Sequence, residues 1–350
     1  MAKGRIGLDL GSTAVRAAEV TVGGDPPALI RAGQVPLPRG AIQSGEIKDV
    51  EAVAGGIRDL WQRGGFKSRQ VTMGVGNQRV VVREVSVPAL PAKELRQSLP
   101  FQVQEQIPIP VEDAVLDYDV LDEFEQEGAR MVRLLVVAAQ RDMVNQFMEV
   151  ADRGKVEPVA IDLTPFALVR AVGQDGGLGL QEAEGGGEAV VDVGADVTTI
   201  CVHERAVARF VRILPSGGHD VTTAMADALG VPEDDAEALK RGQELAEAPP
   251  QENVEAIRRS RVGSLVDEIR SSLDFYRAQT PGAEVSRVLV TGGGSKLPGL
   301  MEMLSDRFEA HVAPGHPFSK VDVRLDLDEE ALADAEPLLA VSLGLALPQG

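Results

Sequence analysis

The chain has 350 residues, 44% of them hydrophobic and 25% charged, enough to bury the cores of about two domains without disulfide or metal staples. Fifty-four acidic residues against 35 basic ones give a net charge of −19, which disfavours non-specific binding to nucleic acid or to an anionic membrane. A single cysteine, Cys201, excludes an internal disulfide framework and any cysteine-based zinc or iron–sulfur site, and 3% aromatic residues leave little for base stacking.

The first residues, MAKGRIGLDLG, lack the apolar run of a signal peptide, and no window approaches 18 consecutive apolar residues. The expectation is therefore a cytoplasmic protein with no direct membrane insertion. Residues 6–13 (IGLDLGST) form an apolar strand ending in Asp-x-Gly, and Ala14–Val20 continues as a second strand. Strands are predicted at Arg69–Gly76 and Val80–Val87, and a helix from Pro91 to Val103 that QIPIP (106–110) breaks. Two more strands, Leu116–Leu121 and Arg130–Ala139, flank a charged turn at Asp122–Gly128. A helix follows over Arg141–Arg153, a strand over Val159–Leu163 and a helix from Pro165 to Val172. Residues 173–188 are Gly-rich and acidic and read as a surface linker.

Residues 190–199 (VVDVGADVTT) then echo 6–13, with Asp192 about half a chain beyond Asp9; two related halves are implied. The second half carries predicted helices at His219–Leu229 and Asp234–Arg241, a polar loop at Glu244–Asn253 and a long helix at Val254–Arg277. A strand at Val285–Val290 runs into TGGGSKLPGL and a further helix. The apolar tail LLAVSLGLALPQG reads as a buried helix; it lacks the cationic face of an interfacial one.

Three loops carry the chemistry. In the first, Gly11 is expected to permit a tight hairpin turn, so that backbone N–H groups with the Ser12 and Thr13 hydroxyls form an anion nest that Arg16 can reach. Asp9 would repel a phosphate but can hold hydrated Mg²⁺ beside one. Asp192, Gly194, Ala195, Asp196, Thr198 and Thr199 repeat that logic from the other half. Two such loops facing each other would clamp phosphates across a cleft. The third loop, Gly292-Gly293-Gly294-Ser295, follows an apolar strand and lets backbone approach a flat group. Ser216-Gly217-Gly218 precedes a helix and offers a weaker anion position. The chain has no Walker A motif, no G-x-S-x-G elbow and no metal spacing among its four histidines.

In this order the three loops resemble those of the actin, DnaK-chaperone and sugar-kinase superfamily. IGLDLGSTAVR is similar to its first phosphate motif, VVDVGADVTT to its second and VLVTGGGSKLPGL to its adenosine motif. Longer stretches, including REVSVPALPAKELRQSLPFQVQEQIPIPVEDAVLDYDVL and SGGHDVTTAMADALGVPEDDAEALK, resemble the PilM family of actin-like type IV pilus assembly proteins, from about Arg5 to Leu347. The resemblance implies an α/β, actin-like (ribonuclease H-like) two-lobed fold with duplicated domains: subdomain 1A over 1–79, an inserted subdomain 1C over 80–159, a return to 1A and linker over 160–189, domain 2 over 190–336, and a C-terminal helix over 337–350 returning to 1A.

It also implies ATP or ADP with Mg²⁺ in the central cleft. Carried over position by position, Asp9 and Asp192 would approach the metal through water. Gly11, Ser12, Thr13, Arg16 and Gly194, Ala195, Asp196, Thr198 would hold phosphates. Gly217 and Gly218 would line the phosphate or ribose side, and Gly292, Gly293, Gly294, Ser295 would cover the adenosine. Glu237 and Lys240 match the family's A-E-x-x-K helix beside the ribose, and Arg270 and Ser271 would flank the base. Relatives often carry Lys where this chain has Arg16. No residue emerges as the positioner of attacking water, Asp162 and Thr164 being the nearest polar candidates, so any ATPase activity is expected to be weak. The implied partner is a PilN-like inner-membrane protein whose cytoplasmic N-terminal segment docks between subdomains 1A and 1C, which would make the chain peripheral to that membrane. The implied assembly is a type IV pilus or a related type II secretion-like complex; the alternatives are an FtsA-like polymerising cell-division or cytoskeletal protein, with self-association, and a small-molecule kinase of the same superfamily.

Overall fold

The computed structural model describes residues 4–173, 186–246, 249–280 and 282–348. In chain order the first part runs β1 (Gly4–Leu10), β2 (Ala14–Thr21), β3 (Ala28–Pro36), β4 (Ile42–Gln43), β5 (Glu46–Ile47), α1 (Val50–Gly64), β6 (Gln70–Val75), β7 (Val80–Pro88), α2 (Ala92–Val103), β8 (Ala114–Gln126), β9 (Ala129–Gln140), α3 (Arg141–Gly154), β10 (Glu157–Leu163) and α4 (Thr164–Val172). The second runs β11 (Gly187–Val193), β12 (Thr198–Glu204), β13 (Val207–Leu214), α5 (Gly218–Leu229), α6 (Glu233–Lys240), α7 (Gln251–Gln279), β14 (Val285–Thr291), α8 (Leu300–Arg307), β15 (His311–Pro314), β16 (Asp322–Val323), α9 (Glu329–Ala335) and α10 (Ala340–Ala346).

The internal echo is topological. One sheet has the order β10-β6-β1-β2-β3-β16, the other β15-β14-β11-β12-β13. In each, the strand ending in Asp pairs antiparallel with its successor and parallel with a later strand, β6 in one and β14 in the other. Parallel neighbours need a long crossover, which α1 supplies in the first lobe and α5–α7 in the second. The strands between residues 80 and 140 leave the first sheet and form their own three-stranded sheet, β7-β9-β8. Helix α2 lays Leu95, Leu99 and Val103 against Val85, Val87, Leu134 and Val136 of that sheet.

Most predicted elements are present within a residue or two. The charged turn is shorter than expected: β8 continues to Gln126, and only Glu127 and Gly128, both with positive φ, make the reversal. The polar loop ends earlier, because Pro250 starts α7 at Gln251. Most of the predicted 173–188 linker lies outside the described residues. Strands β3, β4, β5, β13, β15 and β16 and helices α1 and α9 are additions. The Asp49 side chain caps α1, accepting from the Ala52 N–H, and Gly65 ends it in a left-handed conformation. Its buried Val53, Ile57, Leu60 and Trp61 join the first core. The tail is indeed a buried helix, with every residue of α10 inside. It touches α4 so closely that a Cβ on Gly344 would fall 1.9 Å from the Ala167 carbonyl oxygen.

Candidate functional site: a cleft between two matched loops

A cleft of about 1080 Å³ lies between the lobes. It collects Asp9, Gly11, Ser12, Thr13 and Arg16 from the β1–β2 hairpin and Asp192, Gly194 and Ala195 from the β11–β12 hairpin. Gly218, Glu237 and Lys240 come from α5 and α6, and Gly292, Gly293 and Gly294 from the loop after β14. The two hairpins close identically. The Gly11 N–H donates to the Ala14 carbonyl (3.1 Å) and the Gly194 N–H to that of Val197 (2.9 Å).

Gly11 makes the tight hairpin turn expected of it, without a positive φ. A Cβ there would sit 2.8 Å from Arg16 Nη1, the far end of a flexible side chain, and 3.2 Å from the Ala14 carbonyl oxygen. Arg16, opposite Asp9 in the β1–β2 register, holds Nη1 3.9 Å from the Asp9 carboxylate and donates from Nη2 to Thr13 Oγ1 at 3.4 Å. Its Nε is buried with no partner among the described residues. A buried N–H of a charged guanidinium is costly unless an acceptor meets it.

The carboxylates are electrostatically uneasy. Burial pushes Asp9 above its usual range, and the Arg16 charge pulls it partly back. Burial likewise pushes Asp192 up to about 7, with the Asp9 charge adding to the push and Arg16 easing it. Among the described residues no group of three or more His, Cys, Asp or Glu side chains could hold a metal. Two carboxylates near each other with an unmet guanidinium N–H instead fit a ligand that brings its own oxygens: a phosphate chain carrying a hydrated divalent cation.

On the opposite wall, Lys240 Nζ lies 2.6 Å from Glu237 and donates to the Gly218 carbonyl and to Thr222 Oγ1. Burial draws the ammonium pKa down, and Glu237 opposes that. Burial raises Glu237, but the hydrogen bonds from Lys240 and Thr222 outweigh it and leave the carboxyl below its usual range.

Six predicted residues stand elsewhere. Thr198 is buried, and its hydroxyl donates to the Ser216 carbonyl (2.8 Å), so Thr199 occupies the cleft wall in its place. Asp196 does not line the cleft. Gly217 lies under the second loop, where a Cβ would be 2.6 Å from the Gly194 and Ala195 carbonyl oxygens. The N–H groups of Gly218 and His219 donate to those same two carbonyls, so the start of α5 braces the loop rather than meeting an anion directly. The Ser295 hydroxyl folds back to the Gly292 carbonyl (2.7 Å). Arg270 and Ser271 are on the exposed side of α7, and Arg270, with Arg277 and Arg307, lines a separate cavity of about 170 Å³. From this helix it is Glu268 that turns toward the loops, accepting from Ser216 Oγ at 3.0 Å. Of the two water-positioning candidates, Asp162 is paired with Arg170 and absent from the cleft lining, whereas Thr164 lines it.

The sequence reading missed the far wall. The segment after α9 returns across the third loop, and the Pro337 carbonyl accepts from the Gly292 N–H (3.2 Å) and the Thr291 hydroxyl (3.4 Å). Leu338 lines the cleft there, and Lys296 reaches from the loop to Asp334. Pro337 directly after an apolar-patterned acidic helix was the available signal, but no local rule ties it to a glycine loop 45 residues earlier.

Two lobes of one strand order, with matched Asp–Gly hairpins facing across a cleft, define the class: an actin-like fold. Comparison narrows it. The type IV pilus assembly protein PilM family matches residues 7–349, and the chain belongs to that family. Among solved structures it resembles the PilM–PilN type IV pilus biogenesis complex, with a TM-score of 0.83 and 28% identity over 99% of this chain and 98% of the other. MreB5 of Spiroplasma citri bound to ADP shares the fold at a TM-score of 0.52 and 12% identity, covering 98% and 94% of the two chains. The cell division protein FtsA of Bacillus subtilis is 21% identical over 89% of this chain and 78% of its own length. No helix among the described residues is long and apolar enough to cross a membrane.

Proposed function

We propose that this protein is a cytoplasmic adapter of the type IV pilus inner-membrane assembly complex, holding Mg-ATP in its cleft and the cytoplasmic N-terminal segment of a PilN-like protein on its surface. One observation carries the nucleotide part: two equivalent hairpins present Asp9 and Asp192 to one cleft in which the buried Arg16 Nε has no acceptor among the described residues. In this reading Ser12, Thr13, Arg16 and the second hairpin hold the phosphates. Asp9 and Asp192 hold the hydrated cation, Glu237 and Lys240 flank the ribose, and Gly292–Gly294 with Leu338 cover the base. The cation supplies charge neutralisation between the carboxylates and the phosphates when bound. The engagement of Asp162 with Arg170 supports slow hydrolysis, with nucleotide acting chiefly as a ligand that joins the lobes. The partner part rests on the similarity to a chain solved in complex with PilN. A docked inner-membrane partner would bring the chain to that membrane, and no helix among the described residues is long and apolar enough to cross it.

Calorimetric titration with a synthetic N-terminal segment of the neighbouring PilN-like protein, with and without Mg-ATP, tests both parts. Saturable micromolar binding whose affinity changes with Mg-ATP is expected. A folded, ATP-loaded protein that ignores the peptide, and scatters light increasingly with concentration and ATP, would shift the reading to a polymerising one.

A further inference from the structure

Beside the cleft, between residues that flank its lining without belonging to it, lies a contact that the nucleotide reading does not use. Arg39 lies in the turn after β3, and that turn is anchored at both ends. The Leu37 N–H donates to the Thr13 carbonyl (2.9 Å), within the first phosphate hairpin, and the Ala41 N–H donates to the Pro38 carbonyl (3.1 Å). From this base the Arg39 guanidinium crosses to the other lobe. Nη2 donates to Asp234 at 2.7 Å and Nη1 to Glu233. Both acceptors are in the first turn of α6, the helix that one turn later supplies Glu237 and Lys240 to the cleft. Lys240 in turn grips the Gly218 carbonyl, and the Gly218 N–H donates to the Gly194 carbonyl of the second hairpin. A continuous chain of contacts thus runs from hairpin to hairpin around the outside of the cleft, with Arg39 as the ionic link in it; a second ion pair, Arg209 with Glu84 (3.3 Å), joins β13 to β7 away from this chain.

The geometry points to Arg39 as a positioning residue: a latch that holds α6 over the cleft and sets how quickly a bound nucleotide escapes. This inference rests on the nucleotide reading above. The planar guanidinium suits the task, since its fork can serve two adjacent carboxylates at once where a lysine would serve them as a point charge. The latch is built to open. Arg39 is 51% exposed, Glu233 43% and Asp234 92%, so water and salt compete for every partner. A buried bridge would lock the lobes, whereas this one biases them.

Two readouts separate the latch from the nucleotide assignment. Cys201 is fully buried and burial raises its thiol pKa to about 12, so spin labels on Asp59→Cys in α1 and Asp227→Cys in α5 report the distance between the lobes selectively. In ligand-free protein, Arg39→Glu should broaden and lengthen that distance, as should 0.5 M salt on the unlatched residue's parent. The charge swap of Arg39→Glu with Glu233→Arg should narrow it again. In stopped flow, release of a fluorescent ATP analogue should be about fivefold faster in Arg39→Glu, the scale of an exposed paired charge, and should slow again in the swap. An unchanged distance in Arg39→Glu, or a swap that restores neither quantity, overturns the latch. Failure of the parent protein to hold the analogue at all overturns the nucleotide reading instead, and the ligand-free distances still decide whether the latch exists.

Discussion

The two Asp–Gly hairpins occupy equivalent places in two sheets of one strand order, and their turns close with the same hydrogen bond. They differ in what stands opposite the aspartate. On β2 the residue in register with Asp9 is Arg16; on β12 the residue in register with Asp192 is Thr199. The first hairpin brings its own cation and the second brings none. Burial raises both carboxyls, but only Asp9 has a guanidinium beside it, and Asp192 is pushed up to about 7. The duplicated scaffold therefore supports an asymmetric pair. One lobe carries its own counter-charge, and under the proposed function the other would take its counter-charge from a cation that arrives with the ligand. If that cation binds, it would favour the ionised form of Asp192, coupling its binding to release of the proton.

That asymmetry has its largest consequence in the metal-free protein. A carboxyl whose folded pKa lies above its unfolded one binds more protons in the folded state between the two values. Stability contributed by protonated Asp192 is thus complete below pH about 4 and is lost as the pH rises to about 7, a change of about 4 kcal/mol at its full extent. Thermal melts in EDTA should fall across that window beyond what the other carboxylates explain. Asp192→Asn should flatten the fall, and Arg16→Thr, which makes the hairpins alike, should steepen it. An identical pH profile for Asp192→Asn would remove the asymmetry.

Next in size are the ligand effects. Asp9→Ala and Asp192→Ala should each weaken Mg-ATP binding by about 10–100-fold in titration calorimetry, the range for residues that orient a metal's shell. Binding without Mg²⁺ should respond differently. Asp192→Ala removes only an uncompensated repulsion and should tighten metal-free ATP. Asp9→Ala also frees Arg16 for the phosphates and should tighten it more. Equal Mg-ATP affinity in either variant would sink the cation assignment.

How much of this the amino-acid order disclosed follows from range. The two hairpins were legible because strand, Asp, Gly and small polar residues are contiguous, and the β11–β12 echo needed only pattern matching. The third loop was legible for the same reason. Helix α1 was not: Gly55 and Gly56 lower its helical propensity, and what retains Gly56 is a tertiary fact, since a Cβ there would meet Leu37 Cδ2 at 2.8 Å. Arg270 was misplaced because a 29-residue helix turns several faces to its surroundings, and sequence alone does not say which one meets the cleft. The Pro337–Gly292 wall and the Arg39–α6 contact join segments 45 and nearly 200 residues apart, beyond any local rule.

The smallest expected effect compares the two glycines directly. A Cβ on Gly11 meets the far end of the Arg16 side chain at 2.8 Å, and its nearest backbone atom, the Ala14 oxygen, at 3.2 Å. A guanidinium on a flexible stem can give way, so Gly11→Ala should cost less than about 1 kcal/mol in denaturant unfolding. A Cβ on Gly194 meets the Val197 carbonyl oxygen at 2.6 Å. That oxygen is fixed by the hydrogen bond it accepts from Gly194 itself, and the Gly194 carbonyl is in turn held by the Gly218 N–H. Backbone must shift, and Gly194→Ala should cost about 1–3 kcal/mol, the usual penalty for overpacking a site with nowhere to relax. The ranking reverses for binding. Displacing the Arg16 fork disturbs a group whose buried Nε has no partner among the described residues, so Gly11→Ala should lose more ATP affinity relative to its stability cost than Gly194→Ala does. Equal stability costs at the two positions would mean that the hairpins relax alike, and the difference between the lobes would then reduce to the single exchange of Arg16 for Thr199.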